Sequence, residues 1–163
     1  SNVSNALINN INDRLPDMDI KDIVKKYYFD VIFFPDEGAC KRYKDMEAIK
    51  ELELPIAFGI KNRDWKTGEI LGLDIMGADV KDKNVLIIDD ICSKGFTFYY
   101  SGQKLKELGA KDIRLYITHC EDNIQNGEIL KTDVISKVYT TDTICHIKDK
   151  KIEFVRKFRD NKK

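Results

Sequence analysis

The sequence predicts an α/β fold built on a mainly parallel sheet, and three observations carry that prediction. Apolar runs such as Val85–Ile88 are rich in β-branched residues and lack polar alternation, which is typical of strands covered on both faces. Segments with helical spacing of apolar residues separate these runs. Two of the runs end in acidic residues, followed by a glycine-containing loop and a helix. Since parallel sheets bind ligands just past the carboxyl ends of their strands, we expect the site there.

Composition limits the classes of function. The 163 residues are expected to form one domain, 1–163, and 28 basic residues balance 28 acidic ones, so nothing indicates a nucleic-acid or membrane partner. No apolar run reaches membrane-spanning length, and the first residues lack a signal-peptide pattern. The four cysteines are far apart in sequence and form no Cys-x-x-Cys pair, which favours the reducing cytoplasm.

In the first half of the chain, apolar spacing and turn residues define the elements. Residues 3–14 carry apolar residues at helical spacing, and Thr67-Gly68 is a turn signal that makes the segment after it the second arm of a hairpin. The predicted helices cover 3–14 and Ile20–Tyr27, and a third helix follows the loop after Phe34 and continues through 44–53. The predicted strands are Asp30–Phe34 and Pro55–Ile60, and the hairpin arm is Ile70–Gly77.

The second half continues the alternation of strands and helices. After the strand Val85–Ile88 we predict helices over Phe98–Leu108, capped by Gly109, and Ile124–Leu130, strands over Asp112–Thr118, Val134–Thr141 and Ile152–Val155, and a frayed tail over 160–163. His119 could line a pocket at its strand end, although a structural role is favoured. Cys92 is expected to be a small apolar filler.

The stretch around which the chain is organised follows the strand Val85–Ile88. Asp89 and Asp90 supply carboxylates that accept hydrogen bonds from sugar hydroxyls. The loop that follows can hold a phosphate through converging backbone N–H groups at the start of the next helix. Its residues are Ser93, Lys94, Gly95, Phe96 and Thr97. Together these features predict a site for a sugar phosphate.

A second loop of the same kind follows the strand Asp30–Phe34. It carries Asp36 and Glu37, then Gly38, then Lys41 and Arg42. Glycine allows close approach of a ligand to the backbone, and an Arg can meet phosphate oxygens bidentately. Asp36 is an oxygen donor suited to Mg²⁺. Taken alone, the segment is better explained as a capped helix with a solvated first turn.

Two cations follow the strand Pro55–Ile60. Lys61 and Arg63 are two positions apart and could project together as a cationic clamp on a transferred phosphoryl group. From these residues alone, an ordinary charged turn is the favoured interpretation.

The stretch Asp89–Thr97 resembles the ribose-phosphate loop of type I phosphoribosyltransferases, and more narrowly that of ribose-phosphate pyrophosphokinases. Lys94 and Phe96 depart from the small hydroxylated and glycine residues common at those places. Pro35-Asp36-Glu37-Gly38 resembles the pyrophosphate loop of the pyrophosphokinases, in a form similar to a phage and bacterial variant.

The resemblance implies the type I phosphoribosyltransferase fold with a hairpin flap, and a chain similar to the C-terminal half of a pyrophosphokinase, without its N-terminal domain. It implies Asp36 as a Mg²⁺ ligand, Lys61 and Arg63 as catalytic residues, and ATP as a co-substrate. It also implies a homo-oligomer or a partnership with a separate N-terminal half.

Three functions follow from these expectations. The first is ribose-phosphate pyrophosphokinase chemistry in nucleotide biosynthesis, in which ATP and ribose 5-phosphate give AMP and phosphoribosyl diphosphate. The second is a phosphoribosyltransferase that uses phosphoribosyl diphosphate to make a nucleotide, although no clear segment for base recognition is evident. The third is a module that binds a sugar phosphate without catalysis. Whether the chain is active alone stays open.

Overall fold

The computed structural model describes residues 20–156, and these form one seven-stranded sheet with helices on both faces. The predicted helix over 3–14 and the tail over 160–163 lie outside the described residues. The strands are β1 (Val31–Phe34), β2 (Ile56–Arg63), β3 (Ile70–Gly77), β4 (Asn84–Cys92), β5 (Asp112–Cys120), β6 (Lys137–Thr141) and β7 (Ile152–Arg156). The helices are α1, described over 20–27, α2 (Glu37–Tyr43), α3 (Glu47–Leu52) and α4 (Phe96–Glu107).

The sheet order is β3-β2-β1-β4-β5-β6-β7, and every neighbouring pair is parallel except β2 and β3. The predicted mainly parallel α/β architecture is therefore confirmed. Within residues 20–156 no helix is long and apolar enough to cross a bilayer.

Strand β4 lies at the centre of the sheet and explains why its sequence is continuously apolar. Val85 and Ile87 pack into the core on one face, together with α4, whereas Leu86 and Ile88 pack into the core on the other, together with α1 to α3. Because both faces are covered, neither set of alternate positions can be polar. The strand continues beyond its predicted end and pairs with β5 as far as Cys92 and Cys120.

The predicted hairpin is confirmed at the edge of the sheet. Strands β2 and β3 are antiparallel, and their turn is closed by a hydrogen bond from the Asp64 N–H to the Glu69 carbonyl, 2.7 Å long. Gly68 sits in the turn with a φ of 72°, which favours glycine. The register shifts between Asn62 and Arg63, so a bulge interrupts the pairing.

Residues 47–52 are helical as predicted, but the prediction that 44–53 continue the preceding helix without a break is wrong. Helix α2 ends at Tyr43, and Met46 has an extended backbone before α3 begins at Glu47. The turn between the helices lets Tyr43 and Ile49 both enter the same core.

The segment after β5 also differs from expectation. Two short 3₁₀ turns, Asp122–Asn126 and Ile129–Lys131, replace the predicted helix over Ile124–Leu130. Gly127 between them lies so close to the Lys94 carbonyl oxygen that an added Cβ would overlap it. Strand β6 begins at Lys137 rather than Val134, since Val134 and Ile135 pack against Gly102 of α4.

Candidate functional site

A cleft of about 540 Å³ opens where the carboxyl ends of β1 and β4 meet the outer part of β2. It contains most of the predicted ribose-phosphate loop together with one residue from each of the two other predicted motifs. Its lining residues are Asp36, Lys61, Asp89, Ile91, Ser93, Lys94, Gly95, Phe96, Thr97, Phe98 and Asn123. Segments more than 50 residues apart in sequence therefore converge on one site.

The loop between β4 and α4 is shaped by Gly95. This residue has a φ of 84°, and a Cβ there would overlap the Ile129 side chain and approach Cys92 Sγ to 3.2 Å. Any other residue would be strained on both counts. Gly95 caps α4 without a side-chain hydrogen bond to the first turn, and Thr97 and Phe98 of that turn line the cleft. The first N–H groups of a helix and its dipole favour an anion.

The 3₁₀ segment after β5 supports the same loop through hydrogen bonds, and no sequence pattern predicts this contact. Asn123 Nδ2 donates a hydrogen bond of 3.1 Å to Ser93 Oγ, and the Glu121 N–H donates one of 2.8 Å to the Cys92 carbonyl. Asn123 follows Ser93 by 30 residues, so only the tertiary structure brings them together.

Asp89 lies between the loop and helix α2. The Arg42 guanidinium is 3.5 Å from Asp89 Oδ1, and the Asp90 N–H donates to that same oxygen over 2.9 Å. Burial, with the hydrogen bond to the neighbouring Asp90 carboxyl, raises the pKa of Asp89 to about 7. The side chain can thus exchange its proton near neutral pH, and its charged form can accept hydrogen bonds from hydroxyl groups.

Asp36 caps helix α2 and also faces the cleft. Its Oδ1 accepts a hydrogen bond of 2.7 Å from the Ala39 N–H, which leaves the second carboxylate oxygen for a cation. Residues 20–156 contain no group of three or more His, Cys, Asp or Glu side chains placed to hold a metal. Asp36 therefore fits Mg²⁺ only in the manner of a site that takes its other oxygens from phosphates and water.

Lys61 and Arg63 do not form the expected pair. Lys61 lines the cleft, whereas Arg63 is exposed and its Nη1 donates a hydrogen bond of 3.2 Å to the Gly68 carbonyl in the hairpin turn. The bulge between Asn62 and Arg63 changes the register at this point, so simple alternation along the strand does not hold. Of the two residues of the expected cationic clamp, only Lys61 lines the cleft.

Four other predicted residues lie nearby without lining the cleft. Glu37, Gly38 and Lys41 are exposed on α2. Asp90 is half-buried at the end of β4. The charge of Asp90 acts on the neighbouring Tyr43 side chain. Burial is the main cause of the raised pKa of Tyr43, and the charges of Asp90 and Asp89 raise it further.

His119 and Cys92 are both buried beside the site. His119 Nδ1 lies 3.0 Å from Thr143 Oγ1, but Nε2 is buried without a hydrogen-bond partner in the described part of the chain. Burial lowers its pKa, so the ring is neutral at pH 7. The expected fully satisfied structural histidine is therefore only half correct. Cys92 is 1% exposed, as expected for a filler.

Comparison with known proteins agrees with the family resemblance found in the sequence. A family model described as the phosphoribosyl transferase domain matches residues 10–155. The ribose-phosphate pyrophosphokinase of Campylobacter jejuni is 34% identical over 125 residues, which cover 76% of this chain and 39% of that protein. The pyrophosphokinase of Cereibacter sphaeroides is 32% identical over 114 residues, which cover 70% of this chain and 33% of that protein. The matched part of the chain thus spans 39% and 33% of the length of these two relatives.

Solved structures support the fold. The phosphoribosylpyrophosphate synthetase from Mycobacterium smegmatis superposes with a TM-score of 0.70 at 22% identity, covering 86% of this chain and 46% of that one. The AQ2163 protein from Aquifex aeolicus superposes with a TM-score of 0.58 at 13% identity, covering 78% of this chain and 71% of that one. The predicted resemblance to the pyrophosphokinases is confirmed, and partial coverage fits one half of such a protein.

Proposed function

The chain belongs to the phosphoribosyl transferase domain family, and on that premise we propose that its cleft binds ribose 5-phosphate or phosphoribosyl diphosphate. The observation that carries this proposal is the convergence of Asp89, the Ser93–Thr97 loop, Asp36 and Lys61 on one cleft. The proposal gives the Ser93–Thr97 loop to the 5-phosphate and Asp89 to the ribose hydroxyls. Asp90 assists through its charge and its hydrogen bond to Asp89.

The reaction we propose is the transfer of a diphosphoryl group from ATP to ribose 5-phosphate. The O1 oxygen of the sugar bonds to the β-phosphorus of ATP, the bond from that phosphorus to the oxygen bridging to the α-phosphorus breaks, and AMP leaves. The O1 proton passes to solvent. Such a transfer depends on positioning and on charge rather than on covalent work by the protein.

Within this reaction Lys61 is the cation best placed to stabilise the moving group, since it lines the cleft together with Asp36. Asp36 would hold Mg²⁺, which supplies positive charge to the phosphate oxygens when it is bound. Arg42 balances the charge of Asp89 across a 3.5 Å contact. Arg63 would contribute to the reaction only if its side chain left its hydrogen bond with the Gly68 carbonyl and reached the cleft.

The relatives are more than twice as long as the matched segment, so the proposal includes residues outside this segment. A second copy of this chain, or a polypeptide segment equivalent to the rest of those relatives, would complete the ATP side of the site. We propose the cytoplasm as the location, which fits the four free cysteines of the described residues.

The test is sugar-dependent formation of AMP. The full chain is incubated with ATP, Mg²⁺ and ribose 5-phosphate, and AMP is compared with a reaction lacking the sugar and with the Lys61→Ala variant. AMP that requires both the sugar and Lys61 supports the pyrophosphokinase reaction. If pyrophosphate is instead released from phosphoribosyl diphosphate only when a nucleobase is added, the transferase replaces it.

A further inference from the structure

Three side chains at and just after the carboxyl ends of β5 and β6 form a hydrogen-bond chain that starts at a backbone carbonyl. Thr141 Oγ1 donates to the Thr118 carbonyl over 2.7 Å. Thr141 Oγ1 also lies 2.9 Å from Thr143 Oγ1, and Thr143 Oγ1 lies 3.0 Å from His119 Nδ1. Thr141 is fully buried and His119 is 6% exposed, so bulk water does not compete for these two groups.

The direction of each hydrogen bond follows from the single hydrogen that a hydroxyl group carries. A carbonyl oxygen can only accept, so Thr141 uses its hydrogen on Thr118 and must accept from Thr143. Thr143 then has no hydrogen left for the ring, and His119 Nδ1 must donate to Thr143 Oγ1. The hydrogen-bond chain therefore places the ring proton of His119 on Nδ1.

The other ring nitrogen of His119 is consequently an unprotonated acceptor. The ring is neutral because burial lowers its pKa, so with the proton on Nδ1 the Nε2 atom presents a lone pair. That atom is buried and has no hydrogen-bond partner within residues 20–156. A buried acceptor without a donor is unfavourable, and internal waters are the usual donors to protein atoms of this kind.

Asp90 is the acceptor best placed for the second hydrogen of such a water. After burial, the charge of Asp90 is the next influence on the pKa of His119, which it raises, so the carboxylate lies within electrostatic reach of the ring. Ile91, the residue after Asp90, is the register neighbour of His119 across β4 and β5. A water that donates to both groups would connect the hydrogen-bond chain to the two carboxylates at the end of β4.

We propose that His119 is a positioning residue for Asp90, because its Nε2 holds an internal water that also donates a hydrogen bond to the Asp90 carboxylate. The proposal rests on the proposed function, in which Asp90 assists Asp89 at the ribose hydroxyls. A neutral ring and a water fix the carboxylate without adding a further charge beside the cleft. Thr143 sets the ring for this role, since it accepts from Nδ1 and so keeps the proton off Nε2.

The tautomer is tested by NMR on the full chain labelled with ¹⁵N. The sequence contains two histidines, so the spectrum has two imidazole rings, and the variant His146→Gln assigns them. We expect His119 to have a protonated Nδ1 and an unprotonated Nε2 at pH 8. A ring protonated at Nε2, or at both nitrogens, would overturn the proposal. A crystal structure should show a water within hydrogen-bond distance of both Nε2 and the Asp90 carboxylate, and a protein donor on Nε2 in its place would also overturn it.

The effect on binding is tested by calorimetric titration with ribose 5-phosphate and with inorganic phosphate. Thr143→Val removes the acceptor of the Nδ1 proton and frees the ring to change its tautomer. It should weaken ribose 5-phosphate binding about threefold to tenfold and leave inorganic phosphate binding unchanged, whereas Thr143→Ser should retain the parent affinity. Thr132→Val is the matched control, since it removes a threonine hydroxyl that donates to the Glu128 carbonyl over 3.2 Å.

Two binding results would contradict the positioning role. Thr143→Val and Thr132→Val could have equal affinities for ribose 5-phosphate, or Thr143→Ser could lose as much affinity as Thr143→Val. Failure of the sugar-phosphate site is distinguishable from both, because the unmodified chain would then not bind ribose 5-phosphate at all, while the tautomer of His119 stays measurable by NMR.

Discussion

The Arg42 guanidinium lies 3.5 Å from the Asp89 carboxylate and so links helix α2 to the end of strand β4. Asp89 is largely buried, whereas Arg42 is half exposed, so the pair is a partly screened contact at the wall of the cleft. Its importance is for binding, because it holds a charge-balanced carboxylate next to the phosphate loop.

Removal of the cation should weaken the site. We expect Arg42→Ala to lower the affinity for ribose 5-phosphate about fivefold, because Asp89 then loses the charge that favours its ionised form. Calorimetric titration measures the affinity of Arg42→Ala for ribose 5-phosphate, and Lys41→Ala serves as the control. Lys41 is the adjacent cation on α2, and the ion pair of Asp89 is with Arg42 and not with Lys41. If both variants lost affinity for ribose 5-phosphate equally, the effect would come from the overall positive charge and not from the contact between Arg42 and Asp89.

Affinity for ribose 5-phosphate should depend on pH through Asp89. Its pKa is raised to about 7, mainly by burial, so a rise in pH from 6 to 8 converts it to the carboxylate that accepts hydroxyl hydrogen bonds. Binding should therefore tighten over this interval after correction for the ionisation of the sugar phosphate itself, which is measured with inorganic phosphate. In Asp89→Asn the remaining pH dependence should match that of inorganic phosphate. An unaltered profile in this variant would contradict the assignment.

The same carboxyl group should affect stability in the opposite direction. Between its ordinary pKa near 4 and its folded value of about 7, the folded state holds more protons than the unfolded state. The free energy of unfolding therefore falls as pH rises through this window. Asp89→Asn should remove that slope and stabilise the unliganded protein at pH 8, by on the order of 1 kcal/mol. Urea unfolding at pH 5 and pH 8 measures it, and a variant less stable than the parent at pH 8 would refute the burial argument.

Gly95 should tolerate no side chain. We expect Gly95→Ala to lower the free energy of unfolding by at least about 1 kcal/mol, because the φ of 84° disfavours alanine and the new methyl group meets Ile129. Thermal unfolding checks this, and Gly72→Ala is the control. A Cβ on Gly72 has open space and its φ is not in the left-handed region, so that variant should be close to neutral.

Loss of the hydrogen bond from Asn123 to Ser93 should weaken ribose 5-phosphate binding more than it destabilises the fold. Asn123→Ala removes the hydrogen bond to Ser93 Oγ and should weaken ribose 5-phosphate binding about threefold to tenfold. Asn62→Ala is matched to it, since it removes a hydrogen bond of 2.8 Å to Asp74 on the exposed hairpin. Equal affinities in the two variants would show that the hydrogen bond from Asn123 to Ser93 is dispensable.

The sequence was most informative where a local pattern determines the structure. The unbroken apolar run Val85–Ile88 predicted the central strand, and Thr67-Gly68 predicted the hairpin. The predictions were wrong where contacts between segments distant in sequence determine the local structure. The break after Tyr43 comes from two side chains that share one core. Arg63 does not lie beside Lys61 at the cleft, because a bulge changes the strand register between Asn62 and Arg63.

The site shows the same division. Asp36, Lys61, Asp89 and the Ser93–Thr97 loop were predicted and converge on one cleft. Asn123 could not be predicted, since an asparagine in a polar segment carries no sign of a partner 30 residues away.

The central claim is most directly tested by calorimetric titration of the full chain with ribose 5-phosphate, with ribose and inorganic phosphate as separate ligands. We predict that ribose 5-phosphate binds more tightly than either part alone, and that Asp89→Asn reduces this advantage to near that of inorganic phosphate. If ribose 5-phosphate binds no more tightly than inorganic phosphate, or if Asp89→Asn leaves its affinity unchanged, the cleft is not a ribose-phosphate site.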